Sequence, residues 1–135
     1  MLASLIAALI FVESGGNPNA IGDRGRAIGV LQVHREVVTD VNRLYGTQYS
    51  HQQMTNPVKA RQVAALYLQY WGRAYERQTG KRPSPEVLAR IWNGGPAGWR
   101  KNSTLPYWKK VRQTLLYGGR NDSVPLRRWR QLHRQ

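Results

Sequence analysis

Apolar residues recur at helical spacing in five segments of this sequence, and a glycine follows each segment. The glycines that close the segments are Gly15, Gly46, Gly80, Gly94 and Gly118. Apolar side chains spaced three and four residues apart share one face of a helix, and glycine readily adopts the left-handed conformation that ends one. No segment shows the alternation typical of a β-strand. The sequence therefore predicts an all-α protein of about five helices.

Polar residues, two of them followed by proline, predict where the later helices begin. These helices are expected to start at His34, at Asn56-Pro57, at Ser84-Pro85 and at Ser103 or Thr104. Residues 20–33, between the first two helices, have glycines at 22, 25 and 29 and no helical stripe. We expect a loop or a short β-hairpin there, and it carries Asp23.

One carboxylate lies on the apolar face of the first helix. Glu13 follows Leu9 by four residues and Ile6 by seven, so helical geometry places all three on one side. Glu13 is also in the last turn, and both burial and the negative end of a helix raise the pKa of a carboxyl group. A carboxylic acid that holds its proton can serve as a general acid. The alternative is a Glu13 that caps the following turn or pairs with Arg24 or Arg26.

Composition excludes several kinds of site. The chain has no cysteine, which excludes disulfides and cysteine metal sites, and its three histidines lack the spacing of metal ligands. We therefore expect no metal or other cofactor. Residues 2–12 are too short for a membrane span and lack the flanks of a signal peptide. A protein made in a reducing cytoplasm, or cut from a longer precursor, is expected.

Positive charge is concentrated towards the C-terminal end. The net charge is +14, and residues 99–135 contain ten Lys and Arg but a single acid, Asp122. Such a field attracts nucleic acid, anionic lipid or an acidic cell wall. We predict a monomer with one domain over residues 1–119. Residues 120–135 are expected to form a basic amphipathic tail, because Leu126, Trp129 and Leu132 lie among arginines there. A disordered basic tail is the alternative.

Two separated motifs resemble those of known cell-wall enzymes. Residues 13–18 (ESGGNP), with GVLQ at 29–32, look like the active-site motif of soluble lytic transglycosylases, within the lysozyme-like superfamily. Residues 89–98 (ARIWNGGPAG) and 103–108 (STLPYW) resemble invertebrate-type (destabilase) lysozymes, which also carry E-S-G, D-x-G and G-x-x-Q in this order. The resemblance covers about residues 5–113.

The resemblance implies a lysozyme-like fold and cleavage of the β-1,4 bond between N-acetylmuramic acid and N-acetylglucosamine in bacterial cell walls, as endolysins do. Glu13 matches the general acid, and Asp23 matches the second carboxylate, which stabilises the oxocarbenium-like transition state or acts as nucleophile or base. The alternative for Asp23 is a residue that only forms a turn. Four further residues match positions that line the sugar cleft and are expected to bind substrate: Ser14, Gln32, Asn93 and Tyr107. Capping a helix end is the alternative for Ser14, and a C-terminal turn is the alternative for Asn93.

The sequence departs from this pattern at two points. Invertebrate-type lysozymes are rich in disulfides, and their usual histidine before Asn-Gly-Gly-Pro is Trp92 here. Three functions stay open: a muramidase that uses Glu13 and Asp23 with water, a lytic transglycosylase in which the muramic 6-hydroxyl attacks, and a non-enzymatic basic protein. The third would bind membranes or nucleic acid, and only the tail supports it. Nucleic acid is not expected as a partner, because no nucleic-acid-binding motif is present.

Overall fold

The computed structural model describes residues 1–118, which form five α-helices and a two-stranded antiparallel hairpin. The elements are α1 (Leu2–Ser14), β1 (Ile21–Gly22), β2 (Ala27–Ile28), α2 (Arg35–Tyr45), α3 (Pro57–Thr79), α4 (Pro85–Gly94) and α5 (Leu105–Gly118). Short 3-10 turns cover Asp23–Gly25, Gln52–Thr55, Gly98–Arg100 and Asn102–Thr104. The predicted mainly helical fold is confirmed, and of the two alternatives for residues 20–33, a loop or a short hairpin, the structure has the hairpin. The predicted tail, residues 120–135, lies outside the described residues.

Local sequence signals set most helix ends. The Asn56 side chain accepts hydrogen bonds from two backbone N–H groups in the first turn of α3, and Ser84 accepts one in α4. These bonds satisfy N–H groups that have no partner within the helix. Gly15, Gly46 and Gly80 then follow α1, α2 and α3 with φ of 64°, 66° and 74°. The left-handed conformation costs glycine nothing, so each helix stops where the sequence predicts.

The start of α5 differs slightly from the prediction. Thr104 was expected near the helix cap, but it is 1% exposed and belongs to the preceding 3-10 turn. Its hydroxyl donates to the Gly98 carbonyl oxygen at 2.8 Å and accepts a hydrogen bond from Arg90 Nε at 2.9 Å. The hydroxyl thus joins α4 to the segment before α5, and the helix begins one residue later, at Leu105.

Helix α3 lies at the centre and contacts α1, α2 and α4. Val63, Ala64 and Leu68 of α3 are almost fully buried, as are Leu5 and Leu9 of α1. Each leucine buried in this way stabilises the fold by about 2 kcal/mol relative to an exposed one. Within residues 1–118, no helix is both long and apolar enough to cross a membrane. The buried face of α1 ends next to Glu13, so the core directly determines where this carboxylate lies.

Candidate active site

A cleft of about 310 Å³ lies between the end of α1, the hairpin, the start of α2 and the end of α4. Its lining residues are Glu13, Asp23, Ala27, Gln32, His34, Val37, Trp92 and Asn93. The fold therefore brings together four of the six residues that the sequence indicates as site residues. The other two, Ser14 and Tyr107, are not part of this lining and bond to other residues of the protein.

Glu13 is held by hydrogen bonds to side chains far away in sequence. The Tyr107 hydroxyl donates to Glu13 Oε2 at 2.8 Å across a separation of 94 residues. Burial raises the pKa of Glu13 from 4.5 to about 7, although hydrogen bonds from Tyr107 and Trp92 and the positive charge of Lys110 lower it. Desolvation therefore outweighs three opposing effects. A carboxyl group that is about half protonated at neutral pH is well matched to general acid catalysis.

The alternative of an arginine partner for Glu13 is not what the structure shows. None of the ion pairs found among residues 1–118 involves Glu13. Arg24 and Arg26 are both exposed on the hairpin. The carboxylate instead contacts two neutral donors, Tyr107 and Trp92, and its protonated form is still populated at neutral pH.

Tyr107 contacts Glu13, although the sequence placed it among the sugar-binding residues. Burial raises the pKa of Tyr107 well above its usual value, and the charge and hydrogen bond of Glu13 raise it further. The phenol therefore keeps its proton and remains a donor over the physiological pH range. Its position in the first turn of α5 explains how a motif near residue 107 belongs to a site at residue 13.

Trp92 both lines the cleft and donates a hydrogen bond to Glu13. The ring of Tyr67 packs against it edge-to-face, with centroids 5.9 Å apart. Tyr67 is 5% exposed, and burial together with the charge of Asp40 raises the pKa of Tyr67 to about 12. A protonated, buried tyrosine thus supports Trp92 from the core. In the sequence, Trp92 stands out only as a departure from the family pattern. Its contact with Tyr67 depends on how α3 and α4 pack and cannot be predicted from the sequence.

The end of α4 is fixed by polar contacts behind the cleft. Arg90 donates to Glu86 Oε2 at 2.9 Å and to the Lys101 carbonyl oxygen at 3.1 Å, and Lys101 Nζ donates to the Gly94 carbonyl oxygen at 2.8 Å. These bonds join the last turn of α4 to the segment that leads into α5. Asn93 lies exposed in that last turn and lines the cleft, and its contact with a sugar stays a prediction.

The hairpin on the opposite side is held by Gln32. Its amide nitrogen donates to the carbonyl oxygens of Ala20 and Gly29, both at 3.0 Å. Gly29 has φ of 81°, and a Cβ atom there would lie 1.9 Å from the Met54 carbonyl oxygen, so only glycine fits. Gln32 therefore lines the cleft as predicted, but its NH₂ group binds the hairpin backbone and leaves only the carbonyl oxygen for a ligand.

Asp23 lies at the tip of the hairpin and faces His34. Asp23 Oδ2 is 3.5 Å from His34 Nε2, with side chains 53% and 42% exposed respectively. His34 Nδ1 is 4.0 Å from Glu36 Oε2. In the sequence, His34 marks only the expected start of the second helix and lacks the spacing of a metal ligand, so no pattern indicates it as a site residue. Across residues 1–118, no group of three His, Asp or Glu side chains is arranged to hold a metal ion.

Ser14 serves the scaffold of the site. Its hydroxyl donates to the Val30 carbonyl oxygen at 2.7 Å and accepts from the Gly16 N–H at 3.1 Å. These bonds fasten the end of α1 to the loop after the hairpin, which keeps Glu13 and the hairpin at a fixed spacing. The helix-end alternative describes this geometry better than direct contact with a sugar.

The cleft thus combines a partly buried carboxyl group of raised pKa with a more exposed carboxyl group. Glu13 has the protonation behaviour of an acid catalyst at neutral pH. Asp23 is half-exposed beside a polar partner on the same cleft. Two carboxyl groups in such different environments are the arrangement that glycoside hydrolysis uses.

Comparisons with known proteins identify the family of the chain. A family model described as Transglycosylase SLT domain matches residues 1–114. Lysozyme 1 of Crassostrea virginica is 49% identical over 37 residues, or 27% of this chain and 20% of that protein. A Magallana gigas lysozyme is 53% identical over 45 residues, or 30% of this chain and 33% of that protein. The chain thus spans a third or less of these two relatives.

A solved structure is similar to this one over most of the chain. One chain of the crystal structure of Aeromonas hydrophila PliI in complex with Meretrix lusoria lysozyme superposes with a TM-score of 0.61. The sequences are 26% identical, and the match covers 82% of this chain and 87% of that chain.

Proposed function

Because this chain belongs to the Transglycosylase SLT domain family, within the lysozyme-like superfamily, we propose that it degrades peptidoglycan as a glycosidase at the bacterial cell wall. The bond cleaved is the β-1,4 linkage between N-acetylmuramic acid and N-acetylglucosamine, and Glu13 is the general acid. The single observation that carries this proposal is the position of Glu13 in the cleft, where partial burial raises its pKa to about 7.

Protonation of the leaving group is the first step in this mechanism. Glu13 gives its proton to the glycosidic oxygen, the bond from that oxygen to C1 of the muramic acid breaks, and positive charge develops at the sugar ring. Tyr107 and Trp92 then stabilise the Glu13 carboxylate that remains, because both donate hydrogen bonds to it. The same donors would hold the carboxylate in place until it accepts a proton from the group that attacks C1, which is water or a sugar hydroxyl.

Asp23 supports a muramidase over a transglycosylase. It lines the same cleft as Glu13, and a carboxylate there stabilises the cationic transition state and then the attack of water on C1. The water proton returns to Glu13, which completes the cycle, and the product keeps an intact muramic acid at its reducing end. The relatives named as lysozymes agree with this choice.

A lytic transglycosylase is the second candidate, favoured by the description of the matching family model. In that reaction Glu13 acts alone, the muramic 6-hydroxyl attacks C1, and its proton returns to Glu13. The product is a 1,6-anhydromuramyl sugar. Asp23 would then have only its structural role at the tip of the hairpin.

Mass spectrometry of muropeptides released from purified peptidoglycan tests the proposal. We expect the wild-type protein to release soluble products with reducing muramic acid, and Glu13→Gln to lose at least about a hundredfold in rate. Glu76→Gln is the matched control, because Glu76 is exposed and lies outside the cleft. A folded Glu13→Gln variant that clears walls like the control would refute the assignment, and anhydromuramyl products would select the second candidate.

A further inference from the structure

His34 occupies the N-cap position of α2 without capping the helix. Its backbone is extended, with φ −83° and ψ 154°, and its side chain makes no hydrogen bond to the first turn. Serine, threonine, asparagine and aspartate stabilise this position better than other residues do. A residue that breaks a local preference often has a task elsewhere. The imidazole of His34 is thus not needed by its own helix.

The imidazole instead faces the second carboxylate of the cleft. His34 Nε2 lies 3.5 Å from Asp23 Oδ2, and both side chains line the cleft that holds Glu13. The other ring nitrogen, Nδ1, is 4.0 Å from Glu36 Oε2. Carboxylates therefore lie beside both ring nitrogens, and Nε2 is the nitrogen placed to donate to Asp23 when it carries the proton. Such contacts are often long before a substrate binds and shorten in the complex.

Asp23 needs an anchor because the hairpin leaves it exposed. Asp23 and Arg24 have φ of 48° and 58°, which places both residues in the left-handed region at the tip of the turn. The Asp23 side chain is 53% exposed, so its rotamer is not fixed by packing. Among residues 1–118, the basic side chain that lies within 4 Å of the Asp23 carboxylate is His34 and not a neighbouring arginine.

We propose that His34 is a positioning residue that orients Asp23 within the cleft. Its Nε2–H holds the Asp23 carboxylate where positive charge develops on the sugar, and the inference rests on the role of Asp23 in the proposed function. Without His34, the carboxylate turns towards solvent and contributes less to the transition state. A misplacement of about 1 Å at a reacting centre can cost up to about a hundredfold in rate.

Two substitutions at position 34 separate positioning from structure. His34→Ser supplies a better helix cap but cannot reach Asp23, so we expect an unchanged or higher Tm and about a tenfold fall in kcat. KM should change little, because Asp23 acts mainly in the transition state. His34→Gln keeps an amide donor on a side chain of similar length and should recover most of the rate. Arg26→Ser, which removes a positive charge from the exposed face of the hairpin, is the control.

A double-mutant cycle on a soluble peptidoglycan oligosaccharide completes the test. In an Asp23→Asn background, His34→Ser should cause no further loss, because the group that it positions is already removed. The inference is overturned if His34→Ser is as active as the control, if its loss persists in that background, or if a lower Tm accompanies a loss that glutamine does not rescue. It is also overturned if Asp23→Asn itself stays active. A wild-type protein that releases no muropeptides would instead refute the proposed function.

Discussion

Replacing Tyr107 with phenylalanine should move the alkaline limb of the pH–rate profile to higher pH. Glu13 acts as an acid only while protonated, so activity falls as pH rises through its pKa of about 7. The Tyr107 hydroxyl, 2.8 Å from Glu13 Oε2, is the strongest of the influences that lower this pKa. Phenylalanine keeps the ring and removes that donor, so the pKa of Glu13 rises and the acid form persists to higher pH.

The size of this change follows from the kind of bond that is lost. A hydrogen bond to a charged group contributes about 1.5–3 kcal/mol, and about 1.4 kcal/mol corresponds to one pH unit. Trp92 and Lys110 remain and continue to stabilise the carboxylate. We therefore take the lower end of the range and expect the limb to move up by about one pH unit. Below pH 6 the variant should keep much of its rate, because Glu13 is protonated there in both proteins.

The assay is kcat/KM on a soluble peptidoglycan oligosaccharide from pH 4 to 9. Tyr49→Phe is the matched control, because it removes a hydroxyl that donates to Gln62 Oε1 at 2.7 Å and that belongs to a residue outside the cleft. Its limb should coincide with that of the wild type. A limb that stays in place or moves to lower pH in Tyr107→Phe would show that the tyrosine does not control the protonation of Glu13.

Three further predictions concern stability, product and cell lysis. Glu13→Gln should stabilise the protein at pH 8 by up to about 3 kcal/mol. The pKa of Glu13 is raised in the folded state, so the protonated carboxyl group contributes its full stability below pH 4.5, and that contribution is lost as pH rises through 7. Thermal melting at pH 4 should show no such gain, and an equal gain at both values would contradict the burial argument. Asp23→Asn should cost most of the hydrolytic activity, measured as reducing muramic acid; retained activity with anhydromuramyl products would favour a transglycosylase. Removal of residues 120–135, which contain five arginines, should spare hydrolysis of purified peptidoglycan but weaken lysis of intact Gram-negative cells at low salt. A large fall in Tm with parallel loss on both substrates would mean that the segment is structural.

Local rules explain why so much of the fold could be predicted from the sequence. The stops at Gly15, Gly46 and Gly80 and the cap at Asn56 act within one helical turn, and the structure has each of them. The same geometry places Glu13 beside the buried face of α1. Where a tertiary contact competes with the local rule, the prediction loses accuracy. The buried hydroxyl of Thr104 bonds to Arg90 of α4 and to the Gly98 carbonyl oxygen instead of capping α5.

The sequence by itself determined the five helices and the identity of a carboxyl group at the end of an apolar helix face, and it left a loop or a hairpin open between the first two helices. Only the tertiary structure decided what surrounds that group. Tyr107 reaches Glu13 from 94 residues away, and His34 rather than an arginine pairs with Asp23. Helix periodicity and capping depend on neighbours within about four residues, so they fix elements and their faces. The desolvation and hydrogen bonds that set a pKa depend on which distant elements pack together, and that is a property of the folded chain alone.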